Sequence, residues 1–339
     1  MSTTTLLMMQ VSRNKQSTLR SINTLDVMNF AKDALLGYAL NQAVPGTLPC
    51  PDVDGDGDSD AVSGGCSAVA AWLPFRSLGL DDLRDSSGAK LWYVVDPTYT
   101  QGLVPYNSSA DSNLRANGVD SAFVLLAPNT ALDGQIRAAG NISRTNYFEG
   151  LNSDADVYVY QQNISDNNND QVLSYPLGKF WALLENSIVL PVAATALNDY
   201  YASCGAYPWV AAFGAVSLDS VVSLQQGGLP LDSAVASDGS ACAANLIVPS
   251  WLRSHWGDQL QYSFCLNTQG QCLNISGDRV VSTAAVLISP GISLTGQVRP
   301  STQLSQYFEN ANQLNTTQFI YRFSSNHDGS FNDVVHTVP

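Results

Sequence analysis

Apolar positions along the chain fall into two regimes. From residue 18 to 42, Leu19, Ile22, Leu25, Met28, Ala31, Leu35 and Tyr38 recur at spacings of three and four. That spacing lines one stripe of an α-helix and predicts a helix over 18–42. No breaker precedes it, so the helix is expected to reach back toward residue 2, a rod of roughly 60 Å at 1.5 Å per residue. Pro45-Gly46 stops it. A second apolar run predicts a helix over 179–203, with Pro191 kinking it or starting a new segment. Elsewhere, short β-branched or aromatic runs bounded by Gly, Asn, Asp or Pro predict strands at 90–95, 120–127, 155–161, 259–265, 280–288 and 317–323. A helix followed by strands, twice over, is an α+β pattern.

The pattern also repeats in detail. VDSAFVLLAPNTALDGQIR at 119–137 aligns with VSTAAVLISPGISLTGQVR at 281–299. At one constant offset Leu125, Pro128, Leu132, Gly134, Gln135 and Arg137 match Leu287, Pro290, Leu294, Gly296, Gln297 and Arg299. Tyr147-Phe148-Glu149 then matches Tyr307-Phe308-Glu309, and Asn169-Asp170 with Pro176 matches Asn332-Asp333 with Pro339. Leu91-Trp92-Tyr93 corresponds to Leu260-Gln261-Tyr262. The chain is therefore expected to comprise a helical stem at 1–42, an α+β unit at 43–176, and a repeated α+β unit at 177–339 that begins with its own helix.

Composition narrows what such a protein does. The net charge of −14 repels phosphate backbones and anionic membranes, which excludes nucleic acid as a partner. The acidity comes almost wholly from Asp, since Glu149, Glu185 and Glu309 are the three glutamates. No window supplies the ~20 apolar residues of a membrane span. Cys50, Cys66, Cys204, Cys242, Cys265 and Cys272 form no CxxC pair. An even cysteine count in a loop-rich chain with four lysines reads as three disulfides in an oxidising compartment. Six cysteines allow fifteen pairings. The repeat favours Cys50–Cys66 and Cys204–Cys242, leaving Cys265–Cys272 to clamp a hairpin around Asn267-Thr268-Gln269-Gly270.

The sharpest local chemistry is Asp52-Val-Asp54-Gly-Asp56-Gly-Asp58-Ser-Asp60. Five carboxylates in so short a span repel one another unless a cation neutralises them, and the glycines allow a tight turn that aims several oxygens at one hard ion. The expected ion is Ca²⁺ at Asp52, Asp54, Asp56, Asp58 and Asp60. The loop resembles an EF-hand or dockerin calcium loop, except that its twelfth position is Ser63 where an EF-hand carries Glu. Asp166 and Asp170 are a weaker cluster. Arg137 with Glu149, and Arg299 with Glu309, recur in both units and are expected to order the loop after a strand. His255, His327 and His336 all lie in the second half, with Asp328 and Asp333 nearby, and zinc there is not expected. GxSxG, HExxH, P-loop and GxGxxG motifs are absent, so the chain is not expected to be an enzyme. Five Asn-x-Ser/Thr sequons, from Asn107 to Asn315, need no explanation in so Asn- and Ser-rich a chain. Trp209, Trp251 and Trp256 are expected in cores or at domain interfaces.

Taken in order, AKDALLGYALNQ running into LPCPDVDGDGDSD, WLPFRSLGL, LWYVVDP, and APNTALDGQIR before NYFEG resemble pilin-like proteins of type IV pili and the pseudopilins of type II secretion. Trp256-Gly257 with Leu260 and Tyr262 resembles the Trp-Gly-x-x-Leu-x-Tyr motif of ordinary pseudopilins. The resemblance implies a long N-terminal helix packed on an antiparallel sheet, and a minor subunit of a bacterial filament that meets other subunits through that helix. MSTTTLLMMQVSRNKQ looks like the tail of a hydrophobic segment, which makes Met1 an internal start. Membrane contact is then expected only through a segment absent from this chain. The expected location is periplasmic or at the cell surface, anchored in the membrane before assembly. The competing reading is an adhesin or glycan-binding module on the same scaffold, and after it an extracellular hydrolase.

Overall fold

The computed structural model describes residues 3–100, 112–138, 140–154, 156–163, 165, 167–242, 244–266, 269–313, 317–323 and 330–338, with side chains from residue 22 onward. Asn107, Asp166, Asn267, Thr268, Asn315, His327, Asp328, Pro339 and the side chain of Leu19 lie outside the described residues. The chain divides into two compact units, Met1–Leu103 with Ser112–Leu177, and a second that contains Gly178–Pro339.

In the first unit α1 spans Thr3–Leu40. Its buried positions are Thr24, Met28, Ala31, Leu35 and Ala39. Ile22 and Leu25, expected on the same stripe, are 50% and 45% exposed. Helical geometry explains the difference. Each three-residue step turns about 60° short of a full circle, so Ile22 lies about 120° around the helix from Met28. Thr24, one four-residue step away, stays close to the buried line and bonds the Ser86 hydroxyl at 3.0 Å.

After α1 come a small hairpin of β1 (Ala61–Val62) and β2 (Gly65–Cys66), then β3 (Ala70–Trp72), β4 (Trp92–Val95), β5 (Arg115–Ala116), β6 (Val119–Ala127), β7 (Val159–Tyr160) and β8 (Gln171–Pro176). β3, β4, β6 and β8 form an antiparallel sheet in that order. β5 pairs with the start of β6, and β7 adds to β5 in parallel. α1 packs on β6 and β8. The strands are covered on both faces, which is why β4 is buried at every position. One face carries Tyr93, whose hydroxyl donates to the Pro49 carbonyl at 3.1 Å. The other puts Trp92, Val94, Val124 and Leu126 against Tyr147 and Phe148.

The second unit opens with one continuous helix, α2 (Leu177–Leu184), a π-turn (Glu185–Val189) and α3 (Leu190–Cys204). It is long and apolar enough by composition to cross a membrane, and 61% of its apolar window is buried inside the protein. Pro191 neither breaks nor restarts it. The proline occupies the second position of α3, and the wide π-turn just before it absorbs the missing backbone donor. Gly205, at φ 74°, ends the helix in the left-handed conformation. β9 (Gln226–Gly228), α4 (Ser250–Trp256), β10 (Gln261–Phe264), β11 (Leu273–Gly277), β12 (Val281–Thr283), β13 (Ala285–Ser289), β14 (Gln318–Tyr321) and β15 (Val334–Val338) follow. The order β15-β13-β10-β9 forms an antiparallel sheet, and β12-β11-β14 a smaller one. α3 packs on β13 and β15.

The two units superimpose in register as well as in sequence. Tyr93 faces Leu125 and Leu125 faces Leu173; Tyr262 faces Leu287 and Leu287 faces His336. The parallel pair β5–β7 has its counterpart in the parallel pair β11–β14. Val286 and Ile288 meet Tyr307 and Phe308 as Val124 and Leu126 meet Tyr147 and Phe148. The protein is thus an α+β fold built twice. Several strands are absent from the sequence pattern, β3, β9 and β11 among them, and so are β8 and β15, sheet edges that follow Asn169-Asp170 and Asn332-Asp333. The strand expected at 155–161 is reduced to the two residues of β7.

Candidate functional site

Three disulfides join Cys50 to Cys66, Cys204 to Cys242 and Cys265 to Cys272, the pairing the repeat favours. Three such bonds fit an oxidising, extracellular or periplasmic compartment.

The first disulfide closes the acidic loop. Asp52 is fully buried and acts as its template, its two oxygens accepting the Gly55 and Gly57 N–H groups at 2.6 and 2.8 Å. Both glycines have positive φ, 85° and 92°, and lie against the Trp72 and Phe75 rings, where a Cβ would come within 2.8 and 2.5 Å. Burial raises the Asp52 pKa against the opposing pull of those two N–H groups. Asp60 turns back to accept the Val53 N–H at 2.5 Å. The fold brings carboxylate oxygens of Asp52, Asp54 and Asp60 within 4.8 Å of one another, a set that could hold a metal ion. Among the described residues this is the one such cluster of His, Cys, Asp or Glu. Asp56 and Asp58 are not part of it. Asp56 accepts the Asp58 N–H at 2.8 Å, and Asp58 lies 4.0 Å from Arg76. Alternation in sequence therefore does not carry all five carboxylates to one point: the turn that folds Asp60 back onto the Val53 N–H leaves Asp56 and Asp58 exposed outside the cluster.

The duplicated Arg and Glu belong to a knot that recurs almost atom for atom. Arg137 donates to the carbonyls of Asn146 (3.1 Å), Pro128 (3.2 Å), Tyr147 (3.1 Å) and Asn129, and to Gln135 Oε1 at 2.7 Å. Gln135 in turn donates to Glu149 at 2.5 Å. Arg299 donates to the carbonyls of Gln306 (2.7 Å), Pro290 (3.3 Å), Tyr307 (2.7 Å) and Gly291 (2.8 Å), and to Gln297 at 2.6 Å, which donates to Glu309 at 2.7 Å. The arginine thus reaches its glutamate through the glutamine, and its main work is to bind four backbone carbonyls. Asp170 and Asp333 complete the knots, each accepting the N–H of its unit's glutamate, at 3.0 and 2.9 Å. Asn152 and Asn312 donate to the same aspartates at 3.2 and 2.9 Å. Burial, aided by the Glu149 carboxylate, pushes Asp170 up to about 8. Burial and the Glu309 carboxylate push Asp333 well above the carboxylate range. Raised carboxylates beside an arginine are also what acid–base catalysis uses. Here both aspartates are fully buried, and the same arrangement appears in each unit, which makes it a scaffold device.

One more carboxylate was not singled out by sequence. Glu185, on the π-turn, is completely buried and accepts the Ser289 hydroxyl at 2.8 Å and the Gly291 N–H at 3.1 Å. In the first unit the equivalent N–H, that of Asn129, goes to Asp85 at 2.7 Å, from a loop. Burial raises Glu185 to about 8. His336 lies in β15 with its pKa lowered by burial, and Trp256 is buried against Trp181 at 5.0 Å. No family model, curated protein or solved structure matches the chain.

Proposed function

We propose that the protein is a structural subunit of an extracellular or periplasmic filament, of the minor-pilin or pseudopilin kind, that joins its neighbours through α1 and carries a calcium-stiffened loop. The observation behind this reading is the state of α1. Its inner line from Thr24 to Ala39 is buried, while Ile22, Leu25 and Phe30 stand 50%, 45% and 57% exposed on its outer sides. A helix that keeps large apolar groups in water gains by burying them in a neighbouring subunit, roughly 25 cal/mol per Å² of apolar surface removed. The repeated units, the first closed by one disulfide and the second by two, each with a polar knot, supply a body suited to conditions outside the cell.

All native cysteines are paired, so one added thiol reports contacts cleanly. In producing cells, Phe30→Cys should give disulfide-linked subunit ladders on oxidation, and Ser143→Cys, on an exposed loop, should not. Equal behaviour of the two variants, or monomer from both, removes α1 as the assembly element.

A further inference from the structure

The first unit contains a cleft of about 450 Å³ bordered by Trp72, Tyr147, Arg84, Lys90, Arg137 and Asp54. Its volume falls in the range of small-molecule sites. The charge of its walls runs against that of the whole chain, which has 15 Lys and Arg against 29 Asp and Glu. Three cations nevertheless converge on this one hollow.

Their hydrogen bonds show what remains for a ligand. Lys90 stands 4.9 Å over the Trp72 ring and gives one proton to the Gly55 carbonyl at 2.7 Å. An ammonium has three, so two remain. Arg84 grips Asp82 through Nε and one terminal nitrogen, and Gly88 through the other at 2.9 Å. That leaves one proton on each terminal nitrogen. Arg137, 5.3 Å over Tyr147, spends Nε and one terminal nitrogen on the knot and keeps at most one proton, on the nitrogen that serves the Asn129 carbonyl. Cations thus stand over both rings, and Trp72 and Tyr147, 5% and 7% exposed, offer a ligand only narrow apolar edges.

The second unit provides an internal comparison. It has the same arginine over the same tyrosine, Arg299 4.9 Å above Tyr307. There Phe213 packs on Tyr307 and Phe308 at 5.1 and 5.5 Å, and Arg299 is 4% exposed. One copy is packed shut by an aromatic ring, and the other keeps a cation-lined hollow beside the equivalent pair.

We propose that the cleft binds an organic anion, with a carboxylate held by Lys90 and Arg84 and a ring or short chain touching the exposed edges of Trp72 and Tyr147. Inorganic oxyanions match the charge but fill little of the volume. Asp54, at the rim, disfavours dianions and is placed to accept a ligand hydroxyl. The proposal is independent of assembly through α1 and of cation binding to the loop.

Isothermal titration of the full chain with glucuronate, benzoate, glucose and inorganic phosphate, in buffer free of divalent cations, tests it. At least one of the two carboxylates should bind at millimolar concentration or below, with glucose silent and phosphate weaker. Arg84→Gln, at an exposed side chain, and Lys90→Met should each weaken that binding about tenfold, with melting temperatures confirming that both variants fold. Silence from both carboxylates, equal binding of glucose, phosphate binding as tight as the carboxylates, or affinity unchanged in both variants would overturn the proposal.

Discussion

Arg299 gives its guanidinium protons to four backbone carbonyls and one amide oxygen from a position 4% exposed to solvent. Arg299→Met leaves those acceptors buried and unpaired and removes the cation beside Glu309. The expected cost is about 3 kcal/mol or more, read as a lower urea midpoint, and Arg137→Met at its half-buried site should cost less. In the acidic loop, the melting temperature should rise with free Ca²⁺, by an amount reaching about 2.7 kcal/mol at a hundredfold excess over Kd. Asp54→Asn with Asp60→Asn should abolish the rise, and Asp56→Asn with Asp58→Asn should preserve most of it. A wild-type melting curve indifferent to both Ca²⁺ and chelator ends the cation reading. The knot was half legible in sequence. Glutamate is so scarce that Glu149 and Glu309 at equivalent places draw notice, and Gln135 and Gln297 match as well. The bridging role of the glutamines and the burial of Asp170 and Asp333 were not legible, because side-chain partners distant in sequence create them.

Elements follow the same division. The two helices could be read from periodicity, but the buried face of α1 could not, since a run of three-residue steps drifts around the helix. Met28→Ala or Leu35→Ala should therefore cost about 2–5 kcal/mol, whereas Ile22→Ala and Leu25→Ala should stay within about 0.5 kcal/mol, all by denaturant midpoints. The edge strands β8 and β15 escaped notice because Pro176 and the polar residues Ser174, His336 and Thr337 interrupt any alternation. In the π-turn, the Glu185 carboxyl rises from 4.5 to about 8 on burial. A carboxyl with a raised folded pKa binds its proton more tightly in the native state. Stability is then greatest below about pH 4.5 for this group, falls as pH climbs toward 8 and levels above it, with a slope of up to about 1.4 kcal/mol per pH unit. Asp170, raised to about 8, and Asp333, raised well above the carboxylate range, act in the same direction. Glu185→Gln keeps an acceptor for Ser289 and Gly291 and should flatten part of the decline in melting temperature between pH 5 and 8, Asp170 and Asp333 supplying the remainder.

For the whole molecule, covalent closure ranks the three disulfides by loop length. Their sequence separations are 38, 16 and 7 for Cys204–Cys242, Cys50–Cys66 and Cys265–Cys272. Chain-entropy arguments assign them about 4, 3 and 2.5 kcal/mol. Paired Cys→Ser replacements should lower the melting temperature in that order. The duplication was visible in sequence at its most constrained points, the strand–turn–Arg segment and the Tyr-Phe-Glu triplet. It was faint between Cys66 and Leu91 and again from Gly205 to Pro249, where each unit builds its own loops. The first of those stretches lies beside the acidic loop and includes Trp72, Arg84 and Lys90, so the cleft had no echo in the repeat to announce it.

The Asn129 and Gly291 N–H groups have a further implication. One is met by a loop aspartate and the other by a glutamate a helix away, 44 residues upstream in one case and 106 in the other. Descent has kept the acceptor and let its supplier wander. A distant cousin of this protein should accordingly be sought by shape, as an arginine inside a ring of four carbonyls beyond the end of a central strand, and two such rings in one chain would mark a sibling even where no run of letters agrees.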